Sequence, residues 1–70
     1  MLTVATRGER LREARRRAML SQEELAQESG VGVATIIRIE RDQLKRDPHF
    51  STLRKLAKRL DIEATELLED

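Results

Sequence analysis

The fold of this chain is decided by residues 22–40, which read QEELAQESGVGVATIIRIE. Two short helical stretches flank Gly30, a residue type that adopts positive φ at little steric cost and so suits a turn between helices. Ala26 is small enough for two helix backbones to approach each other where they cross. Ile36 and Ile39 share one face of the second helix, because residues three apart lie on the same side. The stretch predicts two helices held at a fixed angle by a tight turn.

Ser21 and Glu24 mark the start of the first of these helices. A serine followed three residues later by a glutamate is a capping box, in which each side chain accepts a hydrogen bond from the other residue's backbone N–H. These two helices are helix 2 and helix 3 of the chain, and helix 3 is expected over about residues 33–41. Two short helices joined by a turn of three to four residues that contains glycine form the helix-turn-helix arrangement.

The flanking sequence predicts further helices. Thr6 and Glu9 repeat the capping-box spacing and indicate that helix 1 begins there. After a polar loop at residues 42–48, helix 4 is expected over about residues 50–60. Its apolar face would consist of Phe50, Leu53, Leu56, Ala57 and Leu60. A last short helix would carry Leu67 and Leu68.

Length and composition favour one small, all-α domain. The chain has 70 residues, a single aromatic residue and many residues that favour helices. We expect residues 1–70 to form a single domain, with residues 1–6 as an N-terminal arm.

Composition also excludes several classes of protein. There is no cysteine and only one histidine, so disulfides and an ordinary zinc site are excluded, and no metal or cofactor is expected. No paired nucleophile and base and no glycine-rich phosphate loop are present, which argues against an enzyme. No apolar run approaches the ~18 residues of a membrane span. The chain is expected in the cytoplasm, associated with the nucleoid.

The net charge of +1 conceals a strong segregation of charge along the chain. Residues 1–20 carry six arginines and two glutamates, and residues 49–60 carry four cations and no acid, whereas residues 61–70 carry five acids. If the basic segments converge next to helix 3, the domain has one positive pole that could face a nucleic acid.

Several segments together resemble the Cro/phage-repressor (XRE) type of helix-turn-helix domain. They are GERLR at 8–12, LSQEELA at 20–26, Gly30-Val31, Thr35-Ile36, Arg38-Ile39-Glu40 and LRKLAK at 53–58. The resemblance covers about residues 7–69. It implies a compact five-helix bundle of the lambda-repressor-like type, with the helix-turn-helix formed by helices 2 and 3. It further implies a small bacterial or phage transcriptional repressor that binds double-stranded operator DNA as a homodimer.

The same resemblance assigns roles to individual residues. Gln22 corresponds to a helix 2 glutamine that holds a DNA phosphate, and Arg15 and Glu40 correspond to an ion pair between helices 1 and 3. The positions that face base edges are Gly32, Val33, Ala34 and Arg38, flanked by Thr35. The further phosphate candidates are Arg41, Lys45 and Arg46. The candidate dimer surface consists of the end of the 42–48 loop and two apolar residues near the C-terminus, Leu67 and Leu68.

Helix 3 departs from the family pattern in its polarity. The family usually has Ser, Thr or Asn where this chain has Gly32, and often polar residues where it has Val33, Ala34 and Ile37. Arg38 favours guanine, while the apolar residues could touch thymine methyl groups. The alternative is that Val33 and Ile37 form a protein-binding face, as in an antitoxin or a regulatory partner that binds a toxin or another regulator.

Overall fold

Four α-helices and one 3-10 turn make up residues 5–68, the part of the chain that the computed structural model describes. The elements are α1 (Arg7–Arg17), α2 (Gln22–Ser29), α3 (Val33–Glu40), α4 (Phe50–Leu60) and the C-terminal 3-10 turn (Ala64–Leu67). The predicted all-α fold is confirmed. Residues 1–4 of the expected N-terminal arm lie outside the described residues.

Both predicted capping boxes are present. Thr6 Oγ1 accepts from the Glu9 N–H at 3.1 Å, and Glu9 Oε1 accepts from the Thr6 N–H at 2.9 Å. At the start of α2, Ser21 Oγ and Glu24 Oε1 accept from each other's backbone N–H at 3.0 and 2.8 Å. Each box satisfies N–H groups that have no partner within the helix, so α1 and α2 begin where the sequence predicts.

The predicted fifth helix is instead the four-residue 3-10 turn, so the five-helix prediction is wrong. α4 ends at Asp61, which has a left-handed conformation with φ of 57°. Leu68 is already extended, with φ of −78° and ψ of 155°. The residues between these two points are too few for an α-helix, because the first turn is costly to nucleate.

The core lies where the helices converge. α1 packs against α3 and the C-terminal 3-10 turn, α2 packs against α3 and α4, and α4 also covers the 3-10 turn. The fully buried side chains are Leu11, Leu25, Ile36, Ile39, Leu53, Leu56 and Leu67. Phe50, predicted for the buried face of α4, is 52% exposed, since it is the first helical residue and lies at the edge of that face.

The helices of residues 5–68 are short. The longest, α1 and α4, have eleven residues each. No helix in this part of the chain reaches the length and apolarity that a membrane span requires.

Candidate nucleic-acid interface

One side of α3 is buried and the other faces outward. Ile36, Ile39 and Glu40 are buried against α1 and α2. Because successive helical residues are about 100° apart, the exposed residues fall on the opposite side. We call this side the outward face of α3, and it consists of Val33, Ala34, Ile37, Arg38 and Arg41, of which only Ile37 is half-buried.

Two glycines form the turn that presents α3. Gly30 ends α2 with φ of 80°, and its N–H donates to Ala26 O at 3.0 Å, as the sequence predicts. Gly32 precedes the first residue of α3 and has no side chain to cap it. The N-terminus of α3 is therefore exposed, with Gly32, Val33 and Ala34 at the surface. Thr35 is half-buried and lies more than about 100° away from the centre of the outward face.

Four cations lie on α3 or in the loop that follows it. They are Arg38, Arg41, Lys45 and Arg46, and all four are exposed. None of them has an ion-pair partner among residues 5–68. Their charge is therefore available to an external anion.

A buried carboxylate holds α3 in place behind this surface. The Glu40 side chain is 1% exposed. It accepts from Arg15 Nε at 2.7 Å and from Arg15 Nη2 at 3.1 Å, a two-point ion pair between α1 and α3 at the positions that the resemblance indicated. Arg15 also donates to the Leu20 carbonyl at 2.8 Å. The pair fixes the direction in which α3 presents its outward face.

Gln22 lies at the first position of α2, beside the same carboxylate. Its side-chain Nε2 donates to Glu40 Oε1 at 3.1 Å. A side-chain amide has two N–H donors, so one remains for another acceptor. Arg12 Nε lies 3.8 Å from the same oxygen, with its side chain 42% exposed. Glu40 thus orients an amide donor at the positive end of a helix, where anions are favoured.

A contact that the sequence did not reveal joins the N-terminus of α1 to the C-terminus of α3. Asp42 has a left-handed conformation with φ of 54°. Its carboxylate accepts from the Thr6 hydroxyl at 2.9 Å and from the Gly8 N–H at 3.2 Å. At Gly8 a Cβ atom would stand 2.4 Å from the Ile39 carbonyl oxygen. An aspartate just after a helix end is the only sequence signal for this contact, since Asp tolerates the left-handed region.

The basic cluster of α1 is largely used within the chain. Arg10 donates from Nε to Glu66 O and from Nη2 to Leu68 O, both at 2.6 Å, and so ties α1 to the C-terminal segment. Arg7 lies 3.4 Å from Asp47. The basic segments thus do not all converge beside α3. The candidate interface has a smaller set of cations, the four on α3 and in the loop that follows it.

The cations of α4 belong to another part of the surface. Arg59 Nε forms an ion pair with Glu28 of α2. Arg54, Lys55 and Lys58 line a groove together with Ile62 at the start of the C-terminal segment. This segment packs against α4.

The two leucines expected at a dimer surface have different environments. Leu67 is 0% exposed and belongs to the core, where the C-terminal 3-10 turn packs against α1 and α4. Its place on a dimer surface stays a prediction. Leu68 is 38% exposed and remains a candidate.

The glycine turn, the buried face of α3 and its exposed outward face define a helix-turn-helix domain. A helix-turn-helix family model (HTH_3) matches residues 11–67. The chain belongs to this family, and the predicted likeness to its XRE type is confirmed. A comparison with the sequences of curated proteins gave no match.

Several solved structures are similar to the chain over most of its length. The restriction-modification controller protein C.AhdI from Aeromonas hydrophila is 44% identical, with 89% of this chain and 91% of that chain covered and a TM-score of 0.77. The N-terminal DNA-binding domain of SinR from Bacillus subtilis is 30% identical, with 91% of each chain covered and a TM-score of 0.83. The DNA-binding domain of the P22 C2 repressor is 26% identical over 97% of this chain and 87% of that chain, with a TM-score of 0.78. SinR has been solved in complex with DNA and, separately, with SinI.

Proposed function

We propose that this chain is a sequence-specific DNA-binding transcriptional repressor that inserts α3 into the major groove of a palindromic operator. The observation that carries the proposal is the outward face of α3, which is exposed opposite a buried face and is followed by cations that have no ion pair among residues 5–68. An α-helix fits the major groove, and a helix-turn-helix uses the N-terminal part of its second helix to meet base edges. The family membership and the DNA complex of SinR support the same assignment.

Phosphate contacts would set the position of the domain on the duplex. Arg41, Lys45 and Arg46 follow the exposed side of α3, and Gln22 offers its remaining N–H at the start of α2. Such contacts carry little sequence information but fix register and orientation. Base edges would be met by Gly32, Val33 and Ala34 in the first turn and by Arg38 one turn later.

A homodimer would allow both halves of a palindrome to be bound at once. In helix-turn-helix dimers the half-sites are about 34 Å apart, one turn of DNA. Small cores are commonly stabilised by association, and the partly exposed Leu68 is the apolar residue left over at the C-terminal end. Sedimentation with and without operator measures this directly. A monomer at high micromolar concentration in both conditions would contradict the dimer.

The test of DNA reading is selection of binding sites from a random duplex pool, followed by titration of Arg38→Ala. Loss of a guanine contact is expected to weaken binding about tenfold or more and to relax preference at one base pair of each half-site. Arg54→Ala is the matched control, because Arg54 is an exposed arginine on α4 that lines a groove beside Ile62. Unchanged affinity and site preference in Arg38→Ala would show that the reading helix is wrongly assigned.

A second candidate function is protein recognition through the same helix. Val33 is 36% exposed and Ile37 is half-buried on the outward face, so an apolar strip is available to a protein partner. SinR provides a precedent in that it has been solved in complex with another protein. This candidate predicts that no duplex is retained at moderate salt and that an antitoxin-like or regulatory complex co-purifies.

A further inference from the structure

The outward face of α3 is unusually poor in hydrogen-bonding groups for a surface that reads bases. Three of its five residues, Val33, Ala34 and Ile37, are apolar, and Arg38 is the only one within α3 that carries a donor. The hydroxyl of Thr35 belongs to a residue on another side of the helix. Recognition by this face must therefore use apolar contact as well as the guanidinium of Arg38.

Ile37 has the central position among the apolar residues. It lies within about 50° of the centre of the outward face, one helical turn after Val33. Residues four apart on a helix have Cβ atoms about 6 Å from each other, so the two side chains form one continuous apolar strip. Arg38 is the next residue along the chain and borders this strip. Ile37 thus joins the candidate base-reading surface, whereas Thr35 lies on another side of the helix.

The major groove offers one apolar group to such a strip. Thymine carries a C5-methyl group there, and cytosine does not. A cytosine methylated at C5 presents the same group at the same position of the ring. Guanine presents two acceptors, N7 and O6, which suit the bidentate donors of an arginine.

We propose that Val33 and Ile37 form a methyl-reading strip, that Ile37 is a specificity-determining residue, and that Arg38 reads an adjacent guanine. The strip then recognises a C5-methylated pyrimidine next to guanine and accepts thymine or 5-methylcytosine alike. This inference rests on the proposed DNA-binding function.

The charges around the strip identify its occupant as a nucleic acid. Arg38 and Arg41 lie on the same face, and Lys45 and Arg46 follow in the loop, all four without partners among residues 5–68. An apolar strip that shares its face with Arg38 and Arg41 fits a groove that carries methyl groups between two rows of phosphates.

The experiment uses a selected operator in which single methyl groups of the DNA are removed or added. Replacing one thymine at a time by deoxyuridine removes a methyl group and leaves the hydrogen-bonding edge intact. Loss of one buried methyl contact is expected to weaken binding about fourfold at the position that Ile37 meets. At that position, a 5-methylcytosine–guanine pair should bind about fourfold more tightly than a cytosine–guanine pair.

Protein variants then assign the effect to a residue. Ile37→Ala should bring both ratios close to one, whereas Thr35→Ala, the control on the other side of the helix, should keep them. Circular dichroism establishes that each variant is folded, and the wild-type measurements stand even if Ile37→Ala is not. The inference is overturned if no thymine methyl affects wild-type binding, or if a folded Ile37→Ala keeps the discrimination. A chain that selects no duplex at all would instead refute the proposed function.

Discussion

At the scale of single residues, Glu40 connects the fold to the candidate interface. Glu40 belongs to α3, and its carboxylate accepts hydrogen bonds from Arg15 of α1 and Gln22 of α2. A buried charge is tolerated only when it is paired and hydrogen-bonded, and Glu40 meets both conditions. The residue therefore sets the relative positions of three helices and the direction of the Gln22 amide.

Glu40→Gln should lower the free energy of unfolding by about 3 kcal/mol, because Arg15 would be left without a counter-charge while its side chain is only 13% exposed. Glu13→Gln is the matched control, since Glu13 pairs with Arg17 at the surface with both side chains more than half exposed. That substitution should change stability by less than about 0.5 kcal/mol. Urea unfolding followed by circular dichroism measures both, and equal midpoints for the two variants would contradict the role of Glu40.

Contacts between distant residues are the part that the sequence could not reveal. The bonds of Arg10 to Glu66 and Leu68 and those of Asp42 to Thr6 and Gly8 join residues more than 30 positions apart. No local pattern marks them, because they depend on how the helices pack. The Arg15–Glu40 pair joins residues 25 positions apart, and only the family resemblance pointed to it.

At the scale of elements, local signals predicted the helix starts and the glycine turn. Both capping boxes and the left-handed Gly30 depend on residues within four positions of each other, so they can be recognised from the sequence. The C-terminal segment was predicted less well. Its leucines indicate a helix by pattern, but Asp61 ends α4 with a left-handed turn and leaves room only for the 3-10 turn.

The two glycines of the turn should respond differently to substitution. A Cβ atom at either would meet no atom within 4 Å, so the backbone decides the outcome. Gly30→Ala should cost about 1–2 kcal/mol, because a residue with a side chain is strained at φ of 80°. Gly32→Ser should add about 0.3 kcal/mol, since its hydroxyl can cap the N-terminus of α3, where φ of −61° is unstrained.

Thermal unfolding measures this difference. For a domain of this size 1 kcal/mol corresponds to about 4–8 °C in Tm. We expect Gly30→Ala to lower Tm by about 4–16 °C and Gly32→Ser to raise it by about 2 °C. Equal Tm values for the two variants would mean that the turn does not depend on a left-handed residue at position 30.

At the scale of the whole molecule, the distribution of charge matters more than its sum. The net charge of +1 would suggest weak attraction to nucleic acid. α1 carries six arginines, but several of them contact acids or carbonyl groups of the same chain, so α1 contributes less positive charge to DNA binding than that number suggests. Of the exposed cations without an ion pair among residues 5–68, four lie on α3 and the following loop, and the others lie on α4 and near the end of α1. Non-specific affinity should therefore be modest and depend on few phosphate contacts.

The salt dependence of binding can count those contacts. Each phosphate contact contributes about one to the slope of log K against log salt concentration. Arg46→Gln should reduce the slope by about one per protomer, hence by about two for a dimer, and weaken binding to all sequences equally. Arg59→Gln removes the same charge from an arginine of α4 that is paired with Glu28 of α2, and it should leave the slope unchanged. Equal slopes for the two variants would mean that net charge, rather than the position of Arg46 beside α3, governs the attraction to DNA.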